Sequence, residues 1–170
     1  MTIAIVIDLI DCLTNGSVMT ARRFADGLKA KGHEVRLIAV GADGENDCNV
    51  KERYVPVLNE VSAKNQIKYG KFEEDEIRKA FEGVDIVHFI FPFKLEKKCK
   101  ELADEMGIPT TAAFHVQPEN ISFNVHMGWC KPFNSLIYAY LRKTFDSKVD
   151  RIHCPTASIA LPTADHGNQR

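Results

Sequence analysis

The sequence lacks the long apolar run of a membrane span: no stretch reaches the ~20 residues a bilayer-crossing helix needs. Its start, Met1-Thr2-Ile3-Ala4-Ile5-Val6-Ile7-Asp8, has neither the basic residues nor the apolar length of a secretory leader. A surplus of charge is missing too, since 22 Lys and Arg face 23 Asp and Glu for a net charge of -1. No global field therefore draws the chain to nucleic acid or an anionic membrane, and any such contact must be local. The five cysteines, Cys12, Cys48, Cys99, Cys130 and Cys154, include no CxxC pair. Their odd number and wide spacing speak against a zinc site or a disulfide framework and favour a reduced setting. There is no GxGxxG, which weakens a dinucleotide reading, and no internal repeat, low-complexity tract or clear linker. These absences leave a cytoplasmic protein that is soluble or at most peripheral to the inner face of a membrane.

What is present is a chain of 170 residues, 45% hydrophobic, which is ample for one domain with its own core. Ile3 to Ile7 is an apolar, β-branched run suited to a strand covered on both faces, ended by Asp8. Val18, Ala21, Phe24, Ala25 and Leu28 then recur at helical spacing, and Gly32 supplies the stop. Glu34 to Val40 reads as a second strand. Tyr54 to Leu58 is a weaker third candidate, following a polar segment from Gly41 to Asn49. The stretch from Asn59 to Gly70 has no clear period and reads as a loop or an ill-defined helix. Ile77, Ala80 and Phe81 mark a short helix closed by Gly83, and Asp85 to Phe91 is a strand stopped by Pro92.

Leu95, Cys99, Leu102, Ala103 and Met106 form one face of a helix ending at Gly107, and Thr110 to His115 is the next strand. Leu136, Ile137, Tyr140, Leu141 and Phe145 line a further helix, and Arg151 to Cys154 is a last strand before Pro155. The alternation implies right-handed crossovers and an open parallel α/β sheet with helices on both faces. Ligands bind such sheets outside the carboxyl ends of the strands.

Two segments lie at those ends. Thr14-Asn15-Gly16-Ser17 opens the first helix, where backbone N–H groups can meet an anion and Gly16 lets it come close; an ordinary Asn or Ser helix cap explains the same residues. The densest polar cluster is Phe114-His115-Val116-Gln117-Pro118-Glu119-Asn120. Its amides, carboxylate and imidazole can satisfy sugar hydroxyls, which both donate and accept; the alternative is a turn at Pro118 with capping by Glu119 and Asn120.

His88, inside a strand, reads as structural, and Asp85 as a cap on the preceding turn. His126, Cys130, His153 and Cys154 match no standard metal spacing, so no metal is expected. Met127 to Phe145 mixes basic and aromatic residues, which suits core packing better than a membrane surface, while Trp129 and Phe133 before the helix suit an acceptor entrance.

The order of these pieces resembles the family 4 glycosyltransferases of the GT-B type. They are the first strand with Thr14-Asn15-Gly16-Ser17, Lys31-Gly32-His33-Glu34-Val35, Asp85-Ile86-Val87-His88 leading to Pro92-Phe93, Gly107-Ile108-Pro109, the His115 to Asn120 cluster and Val149-Asp150-Arg151-Ile152-His153-Cys154-Pro155-Thr156. The resemblance covers about residues 1 to 158 as a Rossmann-like N-terminal, acceptor-side domain, with 159 to 170 an atypical polar tail.

It implies retaining, metal-independent transfer of a sugar from a nucleotide donor, with a UDP-sugar the leading choice, to a sugar or lipid acceptor, and no separate cofactor. Gly16 and Ser17 are expected beside the donor phosphates, His115 at the reactive carbon as the catalytic residue, and Gln117, Glu119 and Asn120 on the acceptor side. Gly16, His115 and Glu119 are then expected to line one crevice. Family members carry a second, donor-gripping domain that this sequence does not include, so the chain is expected to be inactive alone or to need a partner chain. The competing expectations are a free-standing module for a nucleotide or small ligand, and a docking subunit.

Overall fold

The computed structural model describes residues 1–55, 68–113, 131–145 and 148–153. Among them six strands form one parallel sheet: β1 (Thr2–Leu9), β2 (Glu34–Val40), β3 (Cys48–Asn49), β4 (Ile86–Phe89), β5 (Thr110–Ala113) and β6 (Arg151–His153). The four helices are α1 (Gly16–Ala30), α2 (Glu74–Phe81), α3 (Lys94–Glu105) and α4 (Lys131–Thr144). The strand order is β3-β2-β1-β4-β5-β6. The chain thus winds outward from β1 through β2 to β3, then starts again on the other side with β4, and the switch point lies between β1 and β4.

The expected α/β architecture is what forms, and the reasons are local. β1 is buried on both faces from Ala4 to Leu9, as its unbroken apolar run requires. α1 ends where Gly32 takes φ 82. There Gly32 N donates to Lys29 O at 2.9 Å and His33 N to Leu28 O at 3.1 Å, the paired bonds of a glycine-terminated helix. Alternation along β4 assigns the faces. His88 meets Phe24 of α1, whereas Phe89 meets Phe145, just beyond α4, on the opposite side. α3 shares that second face, because Lys97 lies over the Tyr140 ring of α4.

Carboxylates pin the amino ends of two strands. Asp85 Oδ2 accepts from Thr2 N at 2.7 Å, and Asp150 Oδ2 accepts from Thr110 N at 2.7 Å and Thr110 Oγ1 at 3.0 Å. Asp85 therefore holds the start of β1 rather than capping the preceding turn as expected.

The third strand also departs from expectation. Tyr54 and Val55 are not in a strand, Pro56 to Leu58 lie outside the described residues, and the edge strand is the two-residue, polar β3. So short a strand carries no hydrophobic period, and a side chain completes its ladder: Asp47 Oδ1 accepts from Leu37 N of β2 at 2.7 Å. Leu141 of α4 and Phe145 just beyond it are buried, but Leu136 is 66% and Tyr140 57% exposed. The expected single apolar face is thus split between core and surface.

Candidate functional site at the carboxyl edge

The loop from β1 to α1 is held from below. Arg22 of α1 reaches back to the Ile10 carbonyl through Nε at 3.0 Å and Nη2 at 2.7 Å, a two-pronged contact that the planar guanidinium suits. Asn15 then caps α1, its Oδ1 accepting from Ser17 N at 2.9 Å and Val18 N at 3.3 Å. The helix-cap reading of this segment is therefore realised, and two N–H groups of the first turn are occupied. Gly16 is exposed, and a methyl group added to it meets nothing within 4 Å. Gly16 and Ser17 thus open α1 beyond the carboxyl end of β1, with space for a methyl group beside Gly16 among the described residues.

The other expected site residues, His115, Gln117, Glu119 and Asn120, lie outside the described residues, as do His126, Cys130 and Cys154. Of the crevice expected from Gly16, His115 and Glu119, only the Gly16 side is described. His88 fits its structural reading: it is buried, with Nδ1 2.7 Å from Thr111 Oγ1 on the neighbouring strand.

The feature that sequence reading missed lies at the switch point itself. Asp8, near the carboxyl end of β1, is 1% exposed, and Glu96, in the first turn of α3, is 0% exposed. Asp8 Oδ1 accepts from Gly70 N at 2.7 Å. Among the described residues no donor reaches Asp8 Oδ2 or either Glu96 oxygen, and no acceptor reaches the Nε of nearby Arg53, although all four atoms are buried. Burial pushes the Asp8 carboxyl up to about 6 against the opposing pull of the Gly70 N–H, Glu96 and the Arg53 charge. Burial and then the Asp8 charge raise Glu96 well above the usual carboxylate range.

Around this pair the residues are aromatic. Phe93, which precedes α3, stacks on Phe91 at 5.2 Å between ring centroids and meets the edge of Tyr69 at 6.0 Å. The signal for Asp8 was an acid at the end of a wholly apolar central strand, where it had been read only as the strand's stop. For Glu96 it was an acid three residues past Phe93 in a helix that no Ser, Thr or Asp caps, a position that turns the side chain back toward the first turn.

Among curated proteins, none matches the sequence. The model of Glycosyltransferase Family 4, a family of the GT-B fold, matches residues 14–168 and so takes in every element from α1 onward. With the six-stranded parallel sheet and its helices on both faces, this match establishes that the chain belongs to glycosyltransferase family 4.

Proposed function

We propose that this glycosyltransferase domain serves a retaining transfer of a sugar from a nucleotide donor, a UDP-sugar, to an acceptor held mainly by this domain. The observation that carries the reading is the family match together with an unobstructed Gly16 at the carboxyl edge of β1. In this reading Gly16 and Ser17 lie beside the donor phosphates. With Asn15 already satisfying Ser17 N and Val18 N, the loop offers the phosphates a close backbone approach and the positive end of α1 rather than a full set of free donors. His115 faces the reactive carbon, and Gln117, Glu119 and Asn120 receive the acceptor.

A lipid acceptor is favoured by the surface of α4. Leu136 and Tyr140, one turn apart, are exposed there, and Lys97 Nζ lies 4.5 Å from the Tyr140 ring centroid. Apolar groups beside a cation suit the boundary between lipid tails and anionic headgroups. Among the described residues no helix is long and apolar enough to cross a membrane, so the contact proposed is peripheral.

Calorimetric titration of the chain with UDP-glucose tests the assignment. A domain that makes only part of the donor contact binds weakly, in the millimolar range. Micromolar binding abolished by His115→Ala contradicts this and favours a free-standing ligand module.

A further inference from the structure

We propose that Glu96 donates a proton to Asp8 Oδ2 and that this clasp is a pH-sensitive latch across the switch point. The geometry leaves few alternatives. Two carboxyl groups, 1% and 0% exposed, present three oxygens that no donor among the described residues satisfies. Two buried carboxylates facing one another repel in a medium that screens them poorly, whereas one shared proton turns the repulsion into a strong O–H···O⁻ bond.

The neighbours decide where the proton sits. Asp8 has the Gly70 N–H and the Arg53 guanidinium to stabilise a negative charge. Among the described residues Glu96 has only weak help from the backbone of Phe93 and its own, and neither oxygen gains a hydrogen bond. Cys99, one turn along α3, is a further titratable group near the pair, and burial first, then the neighbouring acids, keep its thiol protonated. The charge therefore rests on Asp8 and the proton on Glu96.

The clasp joins three parts of the chain. Glu96 belongs to the first turn of α3, Asp8 to the end of β1, and Asp8 Oδ1 holds the Gly70 amide. Tyr69, beside Gly70, packs on Phe93, three residues before Glu96. When pH rises, Glu96 gives its proton to solvent, the bond to Asp8 is lost and two anions are left in contact. The strap at Tyr69 and Gly70 and the aromatic rim at Phe93 then separate from β1. This inference rests on the described residues alone and stands whether or not the donor assignment holds.

Infrared spectroscopy of the full chain in D2O, with amide exchange at Gly70 followed by NMR, tests it. The wild type is expected to show a protonated carboxyl band at neutral pH that is lost on alkaline titration, with exchange at Gly70 accelerating at the same midpoint. Glu96→Gln keeps a donor to Asp8 but cannot ionise. It is expected to lack the band, keep Gly70 protected and lose the alkaline transition. Between the ordinary glutamate value of 4.5 and its raised folded value, Glu96 binds its proton more tightly in the folded state. The wild-type unfolding equilibrium therefore shifts toward the unfolded chain by up to about tenfold per pH unit over that range, relative to Glu96→Gln. Absence of the band in the wild type, or the same band and the same alkaline profile in Glu96→Gln, overturns the proposal. Should Glu96→Gln fail to fold, the coincidence of the band and the Gly70 midpoint in the wild type decides alone.

Discussion

Gly70 shows how one residue ties the candidate site to the core. Its amide is held by Asp8, and a methyl group added at its Cα lies 2.6 Å from Leu95 Cδ2 and 3.1 Å from Val50 Cγ2. Gly70→Ala is expected to destabilise the fold by ~1–3 kcal/mol, the usual cost of overpacking, read as a lower urea midpoint at unchanged slope. No change in midpoint would mean that Leu95 swings aside freely. Gly16 is the opposite case, since its added methyl meets open space; Gly16→Ala is expected to leave the urea midpoint within ~0.5 kcal/mol of wild type.

At this scale the sequence was legible where a residue's role follows from its immediate neighbours. Gly32 closing α1 and Asn15 opening it were both visible. Asp8 and Glu96 were not, because their 88-residue separation hides the fact that helix α3 folds back over β1. Asp85 was misread for a related reason: its partner, Thr2, lies 83 residues earlier in the chain, at the amino end of the neighbouring strand β1.

Among the elements, the sheet was readable because a parallel strand buried on both faces needs a continuous apolar run. β1 supplies one from Ile3 to Ile7 and β2 from Leu37 to Val40, and β4 is interrupted only by His88. β3 escaped detection because its two residues pair at an edge and are completed by Asp47 rather than by a hydrophobic face. α4 was legible as a helix but not in its orientation. Leu136, Tyr140, Leu141 and Phe145 are all apolar or aromatic, and periodicity alone does not say that the first two face outward.

The split gives a prediction. Leu141→Ala is expected to cost ~2–5 kcal/mol, as for other buried leucines. Leu136→Ser with Tyr140→Ser is expected to stay within ~0.5 kcal/mol of wild type while weakening retention on anionic vesicles by about tenfold, equivalent to ~1.4 kcal/mol of lost apolar contact. Urea unfolding and vesicle co-sedimentation measure the two effects. Unchanged vesicle retention would remove the support that α4 gives to a lipid acceptor.

For the whole molecule, the strand order around β1 places the loop before α1 and the loop before α3 on the two sides of one switch point. The family match and this topology agree, and the sequence had conveyed both through the order of its motifs rather than through any one of them. The cluster from His115 to Asn120, proposed for the acceptor side, was the most prominent polar segment in the sequence, but it lies outside the described residues. The proposed donor side is therefore where structure and sequence can be tested together. The most direct measurement is an NMR titration of the isotope-labelled chain with UDP-glucose. The account predicts saturable shifts, at millimolar ligand, in the Gly16 and Ser17 amides at the start of α1, and their loss in Gly16→Ala with the fold intact. Shifts confined to the opposite, amino edge of the sheet, or none at Gly16 and Ser17 at saturating ligand, would contradict it.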